Sequence, residues 1–216
     1  MTHGDDNGLV IPPRLAPTQV VIIPILAGEE TSEVLAKADE VLDQLKNTGV
    51  RARIDNRDHL SPGAKYFEWE RKGVPFRVEI GPRDLEKGQL ALVRRLTAEG
   101  ESRRAFVPEA EAIAKLPEKL EEFQDDLLEA ARVRREDSTV RGVGSLGELE
   151  EAFDSGAGFV YTGWSGDPAI EEMVKERLKA TIRVLPSQEF RSVTAPSRCV
   201  SGDRESVAEV VWARAY

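Results

Sequence analysis

The sequence predicts a mixed α/β protein, a five-stranded sheet with interleaved helices followed by a small second α/β domain. Between residues 18 and 108, apolar runs of strand length alternate with stretches whose apolar residues recur every three or four positions. A long helical pattern follows Pro108, and beyond residue 140 strand and helix patterns resume over a shorter span. The length of 216 residues allows one large domain or two small ones, and the change of character at Pro108 favours two.

Residues 1–17 contain a polar, glycine-punctuated turn, Thr2 to Leu9, and an extended stretch, Ile11 to Pro17, whose three prolines forbid helix. Val20 to Ile25 is a nearly continuous apolar run, as expected of a strand covered on both faces. A helix follows, with Thr31 or Ser32 as its cap, Glu33 in the first turn, and Val34, Ala38, Val41 and Leu45 at helical spacing up to Gly49. Val50, Ala52 and Ile54 alternate with Arg51, Arg53 and Asp55, so this stretch reads as a βαβ unit and a parallel pair.

Ser61-Pro62-Gly63 opens a second helix, Ala64 to Lys72, with proline where the first turn needs no N–H. Phe76, Val78 and Ile80 alternate with Arg77 and Glu79 in a third strand, and Gly81-Pro82-Arg83-Asp84 is expected to turn. Residues 89–96 and 103–107 supply an antiparallel pair around Glu99-Gly100-Glu101-Ser102. Residues 109–135 are helical through Ile113, Leu116, Leu120, Phe123, Leu127 and Ala130, with a break or kink expected at Pro117. Residues 109–140 thus read as a helical connector, and Gly142, Gly144 and Gly147 as a flexible joint. Residues 141–216 then carry helices at 146–155 and 168–179 and strands at 158–164, 182–185 and 207–214. Some seventy residues make a thin core.

The formal net charge of -9 argues against a nucleic-acid partner until its distribution is considered. Residues 51–104 hold 13 Lys and Arg against 9 Asp and Glu, and 10 of the 13 are arginine, the side chain suited to forked contacts with phosphate or guanine edges. Composition alone leaves a second reading open, an Arg- and Glu-rich solvated surface. No apolar run is long enough to span a bilayer, and the acidic start at Asp5 and Asp6 is unlike a secretory signal, so a soluble, cytoplasmic protein is expected. Cys199 is the single cysteine, and His3 and His59 lie in different segments without neighbouring ligands, so no zinc site or hydrolytic triad is expected.

The segment Thr2-His3-Gly4-Asp5-Asp6-Asn7-Gly8 with its proline linker, the stretch Phe67 to Leu85 (FEWERKGVPFRVEIGPRDL), and the ending Trp212-Ala213-Arg214-Ala215-Tyr216 resemble prolyl-tRNA synthetases of the archaeal and eukaryotic form. The resemblance covers almost the whole chain and is most specific over residues 1–26, 61–88 and 209–216. It implies that residues 1–17 are the end of catalytic motif 3 and a linker, that 18–108 are a class II anticodon-binding domain, and that 141–216 are the family's C-terminal domain. On matching positions it implies anticodon-reading roles for Glu70, Arg77 and Arg83, and an active-site rim at His3, Gly4, Asp5 and the terminal Tyr216.

The implied roles are chemically sound. A carboxylate accepts from guanine N1–H and N2–H, and arginine forks onto O6 and N7 or holds a phosphate. Phe67 or Trp69 could offer a stacking face to a splayed base, although both are expected to pack in the core. Several family members hold zinc through four cysteines. Here Ser165 and Ile170 occupy two of those places and only Cys199 of the terminal pair remains, so a zinc-free domain is implied.

The parent reaction implied is activation of proline with ATP and Mg²⁺ followed by transfer to proline tRNA, in an enzyme that is a homodimer. Without motifs 1 and 2 and the motif 3 arginine, this chain is expected to recognise tRNA and to depend on the catalytic domain for chemistry. The alternative is a free-standing synthetase-like RNA-binding or protein-interaction module.

Overall fold

In the computed structural model, which describes residues 2–26, 31–97 and 100–214, the apolar run after Gln19 becomes β1 (Val20–Pro24), buried throughout. Val20 and Ile22 enter one apolar cluster while Val21 and Ile23 enter another, because successive strand residues point to opposite faces. Such a strand needs cover on both sides. On one side lies α1 (Thr31–Asn47), whose buried Val34, Ala38, Val41 and Leu45 join the cluster of Val20 and Ile22. On the other lies α2 (Pro62–Arg71), capped by the Ser61 hydroxyl, which accepts from the Ala64 N–H at 3.3 Å.

β2 (Ala52–Ile54) and β3 (Phe76–Ile80) flank β1 in parallel. β4 (Gln89–Arg94) and β5 (Arg104–Pro108) add antiparallel, giving the order β2-β1-β3-β4-β5. The expected mixed five-stranded sheet is therefore present. Where a plain turn is expected after β3, the chain forms a short helix, α3 (Pro82–Glu86), closed by the Asp84 carboxylate, which accepts from the Gly81 N–H at 3.0 Å. Proline at its first position starts the helix with φ already set.

Pro117 neither breaks nor ends the helix around it, which runs unbroken as α4 (Glu109–Asp137). Interior proline costs about 3 kcal/mol. Here Ala112, Ile113 and Leu116 before it and Leu120, Phe123 and Leu127 after it all bury into the sheet cluster, and that burial outweighs the lost bond. Phe123 meets Phe76 edge-to-face, with ring centres 6.2 Å apart.

The chain divides into two compact units, residues 1–131 and 132–216. The second contains β6 (Thr139–Val143), α5 (Leu146–Asp154), β7 (Phe159–Trp164), α6 (Pro168–Leu178), β8 (Ala180–Val184) and β9 (Ala208–Arg214). Its sheet runs β6-β7-β9-β8, and its core gathers Leu149, Phe153, Val160, Val174, Val210 and Trp212.

The flexible joint expected at Gly142, Gly144 and Gly147 is instead regular structure. Gly142 sits in β6, Gly147 in α5, and the Gly144 N–H donates to the Glu148 carboxylate at 2.8 Å. Gly163 of β7 is a close-approach glycine, since a Cβ there would collide with the Arg198 carbonyl oxygen. Among the described residues no helix is long and apolar enough to cross a membrane.

Candidate nucleic-acid interface

The second face of the first unit's sheet is only partly covered. Cross-strand register places Arg77, Val93 and Arg104 in one row and Glu79, Ala91 and Phe106 in the next. Packed on Val21, Ile23 and Val74, α2 brings Tyr66 and Trp69 down over this face. Glu79 is buried, yet its carboxylate stays paired: one oxygen accepts from Arg77 Nε at 2.8 Å and the other from Arg104 Nη2. Two cations against one carboxylate leave this cluster net positive. The Arg77 guanidinium lies 4.1 Å from the centre of the Tyr66 ring. Burial and then the negative charge of Glu79 push the Tyr66 hydroxyl up to about 12, so it stays protonated and donates to Glu79.

Glu70 and Arg77 line one narrow cleft together with Trp69, Arg95 and Arg103. Glu70 pairs with Arg103 Nη1 at 2.7 Å, and Arg103 is itself anchored through Nε to the Arg94 carbonyl at 3.1 Å. Arg83 stands apart from this cleft, exposed on α3, with no carboxylate paired to it among the described residues. Two of the three sequence-predicted residues are thus brought together, and the third is left as an open cation.

The aromatic expectations divide. Trp69 is core, as expected, and its indole N–H donates to the Asp55 carboxylate at 2.7 Å. The Arg57 guanidinium beside Asp55 holds that carboxyl well below the usual carboxylate range, with the indole bond adding to the effect. Phe67 is not core: it is 65% exposed on the outer side of α2. Phe106 on edge strand β5, 58% exposed, was not singled out from sequence, nor were Glu79, Arg103 and Arg104 as a network. The alternation in β3 placed Arg77 beside Glu79, but the partners on β5 follow only from the β4–β5 register.

The segment before β1 is fastened to the first unit. Arg95 is buried; its two Nη atoms donate to the two carboxylate oxygens of Asp5 at 2.8 and 2.5 Å, while Nε donates to the carbonyls of Leu9 and Glu70. The hydrogen bond from Arg95 keeps the Asp5 carboxyl below its ordinary value. The Leu9 and Ile11 N–H groups donate to the carbonyls of Arg71 and Gly73. Gly8 and Gly73 permit that approach, because a Cβ on either would meet opposing backbone at 2.6 Å. His3 is half-buried and Gly4 exposed in the same turn region. Tyr216 lies outside the described residues.

In the second unit Cys199 is buried near Ser201 and Ser165. Burial alone would raise its thiol, but hydrogen bonds with Ser201 and Ser165 outweigh burial and leave it below its ordinary value. Ile170 packs into the core of that unit. Among the described residues no three His, Cys, Asp or Glu side chains converge as metal ligands.

Residues 19–122 match a family profile described as an anticodon binding domain, and residues 146–216 match one described as prolyl-tRNA synthetase, C-terminal. Similar curated proteins include a proline–tRNA ligase of Roseiflexus sp., 42% identical over 216 residues, covering 100% of this chain and 44% of that protein. Another from Mycobacterium leprae is 44% identical over 223 residues, with the same shares of 100% and 44%. The chain thus spans less than half the length of the relatives it matches. A crystal structure of prolyl-tRNA synthetase from Cryptosporidium parvum, complexed with L-proline and AMP, superposes with a TM-score of 0.84 at 34% identity, covering 100% of this chain and 44% of that one. With both units matched in order along the sequence, the chain belongs to the prolyl-tRNA synthetase family.

Proposed function

We propose that this chain recognises the anticodon of proline tRNA on the open face of its first sheet, as the recognition portion of a proline–tRNA ligase. The observation that carries the reading is the net-positive arginine cluster on a half-covered sheet face, within the span that matches an anticodon binding domain. Glu70 would accept from a guanine N1–H and N2–H, Arg77 would fork onto O6 and N7 or hold a phosphate, and Arg83 would meet the RNA as an exposed cation. Phe67 and Phe106 offer exposed rings on which single-stranded bases could stack. The relatives' names support this reading over that of a free-standing interaction module.

Proline activation with ATP and Mg²⁺ would belong to the catalytic domain, a partner of this portion, in a cytoplasmic homodimeric enzyme. Motifs 1 and 2 and the motif 3 arginine are not within these 216 residues, so this portion alone is expected to bind without catalysing. The residues do not fit structural zinc: with Ser165 and Ile170 in two ligand places, Cys199 offers a single thiolate, so we infer a metal-free C-terminal unit. His3, Gly4, Asp5 and Tyr216 would lie at the rim of the catalytic pocket.

The test is binding of the chain to a stem-loop RNA with the proline anticodon and to one with its two guanines replaced by adenine. A marked preference for the guanines is expected, and equal affinities would refute base reading. Arg77→Ala and Arg83→Ala are each expected to cost about 1–3 kcal/mol of binding if the side chain makes a forked contact.

A further inference from the structure

We infer that Glu79 is the positioning residue of this face: it holds Arg77 through Nε alone, so that both Nη groups of Arg77 are turned outward as an ordered two-pronged donor. The inference rests on the proposed RNA reading and names the group that would make it specific.

A guanidinium presents donors along more than one edge. In Arg77 the Nε edge is spent on the Glu79 carboxylate at 2.8 Å, and one flat face lies against Tyr66. These two contacts fix both the rotation of the guanidinium plane and the direction of its outer edge. The Nη atoms find no acceptor among the described residues, and they are not sealed from solvent, although the side chain as a whole is only 13% exposed. A side chain so buried has already lost its rotamer freedom on folding. It pays little further entropy when a base or phosphate arrives.

Glu79 is itself held from three directions. Arg77 takes one oxygen, Arg104 the other, and the Tyr66 hydroxyl donates to the carboxylate as well. It is 2% exposed and does not reach the surface to touch RNA. The structure thus separates two roles on neighbouring residues of β3: Arg77 contacts and Glu79 aims.

The experiment compares the chain with its Glu79→Gln, Arg77→Lys and doubly substituted forms, binding the proline-anticodon stem-loop and its adenine-substituted counterpart. Glutamine keeps the size of the side chain while removing the charge that fixes Nε. Glu79→Gln is expected to lower the guanine preference about tenfold, while affinity for the adenine-substituted RNA changes little. Adding it to Arg77→Lys is expected to cause no further loss, because lysine has no fork to aim.

A guanine preference that survives Glu79→Gln, or an equal drop for both RNAs, overturns the inference and leaves the proposed recognition standing. Absence of any guanine preference in the unsubstituted chain overturns the recognition itself and this inference with it. Should Glu79→Gln fail to fold, amide-type hydrogen exchange at the Arg77 Nε–H of the unsubstituted chain decides. Exchange markedly slower than at Arg83 is expected, and equal rates would overturn the inference.

Discussion

Charged side chains converge on the open face of the five-stranded sheet, whereas in the four-stranded sheet they disperse. In the first, Arg77 and Arg104 share the buried Glu79, and Glu70 and Arg103 pair alongside. In the second, charges on the sheet strands fasten different segments: the Ser192 N–H donates to Glu209 at 2.9 Å, Arg141 donates to the Phe190 carbonyl at 3.1 Å, and Arg214 reaches the Leu178 carbonyl and Asp154. Where two arginines of the second unit share a carboxylate, Arg135 and Arg141 on Glu136, that carboxylate is exposed and does not hold them as the buried Glu79 does. The charges of the first unit cluster on a face that α2 covers only in part. The difference agrees with the recognition proposed for the first unit, while the charges named in the second work on its own fold.

That contrast is open to test. The largest effect is expected from Trp212→Ala, which empties the centre of the second unit's core and leaves the Thr162 hydroxyl without the indole bond of 2.8 Å. A loss of about 3–5 kcal/mol in chemical denaturation is expected, with RNA affinity preserved. If RNA binding were lost in step with stability, the division of roles would fail.

Next comes Arg95→Met, which keeps much of the buried stem but removes the charge facing Asp5 and the bonds to two carbonyls. About 2–4 kcal/mol is expected, somewhat below the range for a broken buried pair because Asp5 is partly exposed. Faster hydrogen exchange at Leu9 and Ile11 would accompany it, and unchanged exchange there would show that the fastening lies elsewhere.

The smallest effect is the pH response. Asp5 and Asp55 both have folded-state values depressed by arginine, Arg95 and Arg57 respectively. Their contribution is therefore fully present above the ordinary aspartate range and is lost as pH falls through the depressed values. The first unit's unfolding midpoint, followed by Trp69 fluorescence, is expected to hold from neutral pH down to that range and then decline. Stability that rose on such acidification would have the wrong sign.

Much of the architecture was legible because it rests on local patterns. The double-sided apolar run of β1, the helical spacing of Val34, Ala38, Val41 and Leu45, and the alternation of β3 each announce an element and its buried face. Errors arose where a local signal met a tertiary one. Pro117 signals a break, but the apolar stripe on both sides of it is held against one sheet. Gly142, Gly144 and Gly147 read as a joint, but pairing of β6 with β7 and the carboxylate of Glu148 give them structure. Phe67 and Trp69 are two positions apart on one helix, so both could not face the same core, and the sheet selected Trp69.

The sequence by itself determined that an arginine-rich window spans strands, a helix and a turn of an α/β unit, because composition and period are properties of the chain alone. It also carried the family, through motifs spread along its length. Only the tertiary structure decided what the arginines do. Arg104 reaches Glu79 because β5 pairs with β4 and β4 with β3, and Arg95 reaches Asp5 across most of the first unit's sequence. Such partners are set by register and by packing between distant segments, and neither is written in the neighbourhood of any single residue.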